Sequence, residues 1–585
     1  MTFDEAVTLL RRSEVGRRTF VATPFGKRLV TYADLTATGR ALGFVDELVA
    51  AIRPYYANTH THISTTGRTM SRLREEARAA IARSVHASPD DVVLFVGSGA
   101  TAAVNKLVGL LGLRISEPLD RQYHLARHIP AAERPIVLVS PFEHHSNELP
   151  WLESVAEVVE VGLDAAGQMD LADLEAKARA HADRPLRIGA FSAASNVTGA
   201  LTDVRAVTRI LHAHGYAACV DYAAAGPYVP IDLHPGDPAE AIDAIFVSTH
   251  KFMGGPEGSG VLVAHRSLFR SETPERPGGG TVEYVAAFER HSVDYTPHLA
   301  EREEGGTPDI LGDIRAGLAF QVKELVGPAR ILEHETALAA RAIARLGRHP
   351  RLTLYGPHDA PRLPILSFNV EGLHHDLVSA LLDHLFGIQN RAGCSCAGPY
   401  GHRLLGIDRT RSEELRSAIS CGVTGLKPGW VRLSLPYYAT EDEVEFLLSA
   451  VEFVAEHGEA FVPLYRLGLK DGLWTVAGTP PADPRPVGLD LASIERAARH
   501  GVPPPEQSRA ELTEEEAAAL RRGYLEEARA LAAKLEERWR QEPPRWNPGT
   551  GDAMVDGLTW FRYVNASLDS AAADAAATLG MNGRG

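Results

Sequence analysis

Residues 244–264 read AIFVSTHKFMGGPEGSGVLVA: an apolar run of strand length, then Ser248-Thr249-His250-Lys251, then a glycine-rich turn and a second apolar run. A lysine placed directly after an apolar strand sits at the strand's carboxyl end, where ligands gather in open α/β sheets. Burial there lowers the pKa of the amine and favours it as a nucleophile toward a carbonyl. Lys251 is therefore the first candidate for covalent chemistry. Working outward, the run at 217–220 ends in Asp221, and the run at 187–191 leads to Ser195-Asn196-Val197-Thr198-Gly199. The run at 136–139 leads to Phe142-Glu143-His144-His145-Ser146-Asn147, and 92–96 leads to Gly97-Ser98-Gly99-Ala100-Thr101. With 244–247 and 260–264, these segments alternate with Ala/Leu/Arg-rich helical stretches, the pattern of a largely parallel sheet flanked by helices.

The polar residues at these strand ends form a chemically consistent set. Asp221 suits a carboxylate that keeps a ring nitrogen protonated, so that the ring acts as an electron sink. Asn196 is placed to donate to a ring oxygen, and the His144 imidazole to stack on a ring face. The helix opening at Gly99, Ala100 and Thr101 offers free N–H groups and a positive dipole end to a phosphate. A dinucleotide reading of the same turn fails, because the third glycine of GxGxxG is replaced by Ala102. His60 and His62 with Cys394 and Cys396 would make a His₂Cys₂ zinc set, but neither spacing matches a zinc motif, so no metal is expected.

Across 585 residues, Lys and Arg total 60 against 75 Asp and Glu, a formal charge of -15. Nucleic acid and anionic membrane surfaces are therefore not expected partners, since no basic block offsets the acidic field. Residues 1–18 carry acids and arginines where a signal peptide has a basic start and an apolar run, and no apolar stretch approaches a membrane span. The expected location is cytoplasmic. Four cysteines (Cys219, Cys394, Cys396 and Cys421) are too few for a disulfide scaffold. The expected organisation is an N-terminal segment plus large domain over 1–330, a small domain over 331–460, and a C-terminal appendage over 461–585. The small domain is read as a strand at 364–370, a helix from His375 to about Leu385 and a strand at 430–435. Proline-stiffened connectors are read at 478–488 and 502–506. In the appendage, Thr513 and Glu516 form a capping box, followed by Leu520, Tyr524, Ala528, Leu531, Leu535 and Trp539 at helical spacing. The end at 566–585 reads as frayed.

The order of Gly-Ala-Thr (99–101), Glu-His-His-Ser-Asn (143–147), Ser-Asn-Val-Thr-Gly (195–199), Val-Asp (220–221), Ser-Thr-His-Lys (248–251) and Gly-Gly-Thr-Pro (305–308) resembles the class V aminotransferases. These are a branch of the fold-type I pyridoxal phosphate enzymes, and within it the chain looks most like the group II cysteine desulfurases and selenocysteine lyases. The resemblance covers roughly residues 20–460 and implies a large, mainly parallel seven-stranded sheet domain, a smaller α+β domain and, beyond them, a mostly helical appendage. It implies pyridoxal 5'-phosphate as cofactor, with Lys251 as the Schiff-base lysine, His144 on the ring and Asp221 at its nitrogen. Asn196 would meet the phenolic oxygen. Gly99, Ala100, Thr101, Ser248 and His250 would hold the phosphate. Thr307 would reach the phosphate of the other subunit, which implies a homodimer with composite active sites.

Arg432, in Trp-Val-Arg-Leu-Ser-Leu, resembles the arginine that clamps a substrate carboxylate, a task suited to a planar bidentate donor. Arg391, five residues before Cys396, resembles the arginine of the desulfurase loop. Cys396 would then be the nucleophile that takes sulfur from L-cysteine or a related amino acid, giving alanine and a persulfide for a protein or small-molecule acceptor. The chain departs from the pattern at position 224, where Ala replaces the usual glutamine. The run at 221–225 and the Gly-Cys-x-Cys loop are closer to molybdenum cofactor sulfurases, whose additional domain is far longer than the tail after residue 460. Two other readings are a C–S β-lyase, aminotransferase or epimerase with a structural Cys396, and a non-catalytic scaffold.

Overall fold

The apolar runs form strands because each is covered on both faces: every residue of Ile136–Val139 and Ala244–Val247 is buried. Burial on both faces is the condition under which parallel strands pair. The computed structural model describes residues 1–61, 63–288, 292–476, 488–502 and 512–568. Within these, seven strands form one sheet in the order Asp91–Gly97, Gly260–His265, Ala244–Val247, Ala217–Asp221, Arg187–Ser192, Ile136–Val139 and Glu157–Glu160. All neighbours are parallel except Gly260–His265, which runs antiparallel to both of its neighbours. The lysine turn makes that reversal, returning the chain directly beside the strand it left. Glu157–Glu160 closes one edge with a glutamate at each end, and charge at an edge discourages pairing with another chain.

A second sheet has four strands, Leu352–Leu354, Ile365–Val370, Trp430–Ser434 and Arg391–Gly393, all antiparallel. The helices His375–Phe386 and Glu441–Phe461 share one buried apolar cluster with it. A two-residue strand near the N-terminus, Thr31–Tyr32, pairs in parallel with Ile388–Gln389. The N-terminal segment thereby becomes part of the small domain's edge.

The appendage is built on Glu514–Gln541, a helix whose Thr513 capping box is present and whose buried stripe joins the small-domain core. Gly523 in that helix faces open space. The appendage is not solely helical: Tyr465–Gly468, Trp474–Val476 and Asn565–Ser567 form a three-stranded sheet. The expectation of a frayed end is corrected at its first residues, because Ala566 and Ser567 pair with Leu467 and Gly468. Residues 569–585, His62 and, apart from Gly488 and Val502, both connectors lie outside the described residues.

Candidate active site

The site gathers at the carboxyl ends of the strands. The Gly99–Leu110 helix starts there, and Gly97 and Gly99 both adopt positive φ at its entry. The close approach needs glycine: a Cβ on Gly99 would lie 2.7 Å from Ser248 Oγ, and one on Gly260 would lie 2.5 Å from Gly99 N. Ala100 N–H donates to Ser248 Oγ at 2.9 Å, and the Thr101 and Ser146 hydroxyls pair at 2.7 Å. His250 Nδ1 pairs with Thr38 Oγ1 at 3.1 Å. A helix N-terminus, three hydroxyls and an imidazole thus line one cavity of about 270 Å³.

The same cavity is lined by Lys251, Asp221, His144, Asn196, Arg432 and Cys396. Lys251 is brought down to about 8, chiefly by burial; Asp221 opposes the shift, and Arg432 and Arg391 add to it. Burial pushes the Asp221 carboxyl up, against the Ala223 N–H at 2.7 Å and the charge of Lys251. His144 falls to about 3 through burial and the neighbouring cations. Its Nδ1 accepts from Ser146 N–H at 3.0 Å, so the neutral ring carries its proton on Nε2. The preceding Glu143 is buried and accepts from Ser192 N–H at 2.8 Å, Ser192 Oγ at 2.6 Å and Asn147 Nδ2 at 2.8 Å. This carboxylate anchors the histidine loop to the end of Arg187–Ser192.

The cysteine loop is attached to the large domain at three points. Asn196 Nδ2 donates to Ser395 O at 2.8 Å, His145 N–H to Cys396 O at 2.9 Å, and Gly398 N–H to His145 Nε2 at 3.1 Å. The two adjacent histidines thus divide their work, His144 lining the cavity and His145 holding the loop. Ser395 and Cys396 adopt φ of 51° and 55°, left-handed geometry that costs non-glycine residues of order 1 kcal/mol each. Cys396 is exposed and Cys219 is buried in a strand; all four cysteines are free thiols.

Of the residues read from the sequence, Gly99, Ala100, Thr101, His144, Asn196, Asp221, Ser248, His250, Lys251, Arg391, Cys396 and Arg432 all line this cavity. Thr307 does not. It is exposed and accepts from Asn58 Nδ2 at 3.2 Å. The sequence reading passed over Asp34, which bonds both Arg391 and Arg432. A signal existed, since Val30-Thr31-Tyr32-Ala33-Asp34 is a β-prone run ending in an acid, as the strand before Asp221 is. Outside the site, His374, His375 and Asp376 bring three potential metal-ligand atoms within 4.8 Å of one another. Their ring nitrogens already bond Gly425 O, Lys427 O, Asp376 N and Asp376 Oδ1.

A lysine-bearing turn beside a seven-stranded sheet, with a second small antiparallel domain over the strand ends, defines a fold-type I pyridoxal phosphate enzyme. The aminotransferase class-V family model matches residues 31–447, and the chain belongs to that family. It is 30% identical over 375 residues to a probable cysteine desulfurase of Halalkalibacterium halodurans (strain ATCC BAA-125 / DSM 18197 / FERM 7344 / JCM 9153 / C-125), covering 63% of this chain and 84% of that protein. It is 28% identical over 436 residues to a probable cysteine desulfurase of Streptomyces coelicolor (strain ATCC BAA-471 / A3(2) / M145), covering 73% and 93%. Among solved structures, the apo cysteine desulfurase of Thermococcus onnurineus NA1 superposes with a TM-score of 0.59 at 27% identity, covering 73% of this chain and 95% of that one. Among the described residues, no helix is long and apolar enough to cross a membrane.

Proposed function

We propose that this chain is a pyridoxal phosphate-dependent cysteine desulfurase acting on L-cysteine or a close relative. The observation that carries the proposal is one cavity lined by a half-buried lysine, a buried carboxylate, a buried arginine and an exposed cysteine. The cofactor fits this donor set. A helix start, Ser248 and His250 suit its phosphate, Asp221 its ring nitrogen and Lys251 its aldehyde. Asn196 Nδ2 donates to Ser395 O, and its buried Oδ1 has no partner, an acceptor open to a ligand's donor. When bound, pyridoxal phosphate supplies an electron-withdrawing ring that stabilises negative charge at the substrate's α-carbon.

The protein's own groups do the rest. Asp221 would hold a proton at the ring nitrogen, the neutral His144 imidazole would lie against the ring, and Arg432 would bind the substrate carboxylate. Lys251, whose amine is brought down to about 8, would move the proton between the substrate's carbons. Cys396 Sγ, as thiolate, attacks the substrate sulfur. The new S–S bond forms as the Cβ–S bond breaks, the bonding pair stays with the substrate carbon, and protonation there gives alanine. Gly393 and Gly398 flank the loop and give it the freedom to carry the persulfide to an acceptor. The exposed Thr307 supports a homodimer in which each subunit completes the other's phosphate site. Four free thiols suit a reducing, cytoplasmic setting.

The test is product analysis of cofactor-loaded protein with L-cysteine and a reductant, comparing wild type with Cys396→Ala. Alanine and sulfide are expected from the wild type, with both lost in the variant while the cofactor band persists. Pyruvate and ammonia, or equal turnover in the variant, would replace this reading with a β-lyase or aminotransferase.

A further inference from the structure

Asp34 sits where the two domains and the N-terminal segment meet. Its Oδ1 accepts from Arg432 NH2 at 3.0 Å, and its Oδ2 from Arg391 Nε at 3.0 Å. Arg432 NH1 donates to Asn196 O at 3.0 Å, so both terminal nitrogens of that guanidinium are held by acceptors of fixed position. Arg432 Nε is buried without a partner. The backbone around Asp34 is fixed as well. Ala33 N–H donates to Gln389 O at 2.9 Å, and Ser434 N–H donates to Ala33 O at 2.7 Å. The hydroxyls of Thr36 and Ser434 pair at 2.7 Å. Gln389 lies two residues before Arg391, and Ser434 two residues after Arg432. The acid is therefore tied to the strand that carries Arg432 and to the short strand that directly precedes the one carrying Arg391.

Charge and order both follow from this. One carboxylate shared by two guanidinia leaves one net positive charge, which matches a single carboxylate on the incoming amino acid. A guanidinium already held at two corners loses less freedom when a ligand binds, so less of the interaction is spent on ordering it. Burial pulls Arg432 toward the neutral form, and Asp34 is the leading opposing influence.

We propose that Asp34 is a positioning residue that orients Arg432 for the substrate carboxylate; this rests on the desulfurase reading above. It touches neither the reacting sulfur nor the α-carbon and acts through the arginine.

The test uses the cofactor-loaded full chain and two substitutions. Asp34→Ala removes the acceptor. Asp34→Asn keeps an oxygen for Arg432 but not the charge. Loss of a charge-assisted hydrogen bond that acts in binding should raise KM for L-cysteine in Asp34→Ala by about tenfold or more, with kcat within about threefold of wild type. Asp34→Asn should return KM to within about threefold, since it keeps an oxygen acceptor that holds Arg432 in place. A second readout needs no turnover: the affinity for L-alanine relative to ethylamine, which lacks the carboxylate, should fall by the same factor in Asp34→Ala and recover in Asp34→Asn. Should Asp34→Ala fail to accumulate as folded holoenzyme, Asp34→Ser, too short to reach either guanidinium, carries the same expectation. An unchanged or lowered KM, or an equal loss of ethylamine binding, would overturn the proposal while leaving the desulfurase reading intact. A wild type that shows no preference for L-alanine over ethylamine would overturn both.

Discussion

Two buried arginines reach the same N-terminal segment from different regions, Arg432 from the cavity at Asp34 and Arg521 from the appendage at Thr31. At the appendage seam, Arg521 Nε donates to Thr31 Oγ1 at 3.2 Å and its NH2 to Glu443 Oε1 at 2.8 Å. The other Glu443 oxygen pairs with Arg17, which also bonds Glu514 at the head of the long helix. Beside it, Leu29 N–H donates to Tyr524 OH at 3.0 Å. In the cavity, by contrast, Arg432 Nε, Asn196 Oδ1 and Ser395 Oγ are buried without partners. Unpaired buried polar atoms are costly, and they persist where a ligand completes them. At the seam each of these groups has its partner, whereas in the cavity three polar atoms that line it or face it are left open to a ligand.

The comparison can be broken most directly at Lys251. Lys251→Ala should abolish the cofactor's visible band and lower turnover by about 10²-fold to 10⁴-fold or more, the range that proton transfer alone contributes. A retained band with normal turnover would remove Lys251 from the chemistry. At the seam the effect should fall on stability instead. Arg521→Ala leaves buried Glu443 short of one partner and should cost about 3–5 kcal/mol in denaturant unfolding, with the cofactor band per folded molecule unchanged.

The pH dependence sharpens the contrast. Because Lys251 titrates near about 8 rather than 10.5, cofactor uptake by cofactor-free protein should slow about tenfold per pH unit below 8 and level off above it. The unfolded chain binds this proton more readily between about 8 and 10.5, so the group's contribution to stability rises with pH across that window. The smallest expected effect is Tyr524→Phe, which removes the acceptor for Leu29 N–H. It should lower stability by about 1 kcal/mol and leave kcat and KM alone, as read by urea titration and steady-state kinetics.

Much of the site was legible because its residues stand at the ends of apolar runs. The segment before Lys251 and the segment before Asp221 are both buried strands, and a strand end has a fixed place in an open sheet. The capping box at Thr513 and Glu516 was legible for a similar reason, since a helix start is a local event with a local code. The edge strand Glu157–Glu160 was harder to read, because its glutamates dilute the apolar signal that the central strands carry. The strands of the appendage were hidden for another reason. Asn565–Ser567 pairs with Arg466–Gly468 across about a hundred residues of chain, and its own three residues carry no strand signature.

The sequence alone determined the order of strand-end chemistry: the glycine-opened helix, the carboxylate and the lysine turn. Each depends on a local pattern of apolar burial followed by a polar residue, and such a pattern survives in one dimension. Only the tertiary structure decided which partners those groups have. Asp34 is separated from Arg391 by 357 positions and from Arg432 by 398, yet bonds both, because the Thr31–Tyr32 strand pairs with Ile388–Gln389 and Ser434 closes on Ala33. Hydrogen bonds act over about 3 Å whatever the separation along the chain, so the pairing belongs to the folded chain and leaves no spacing to read.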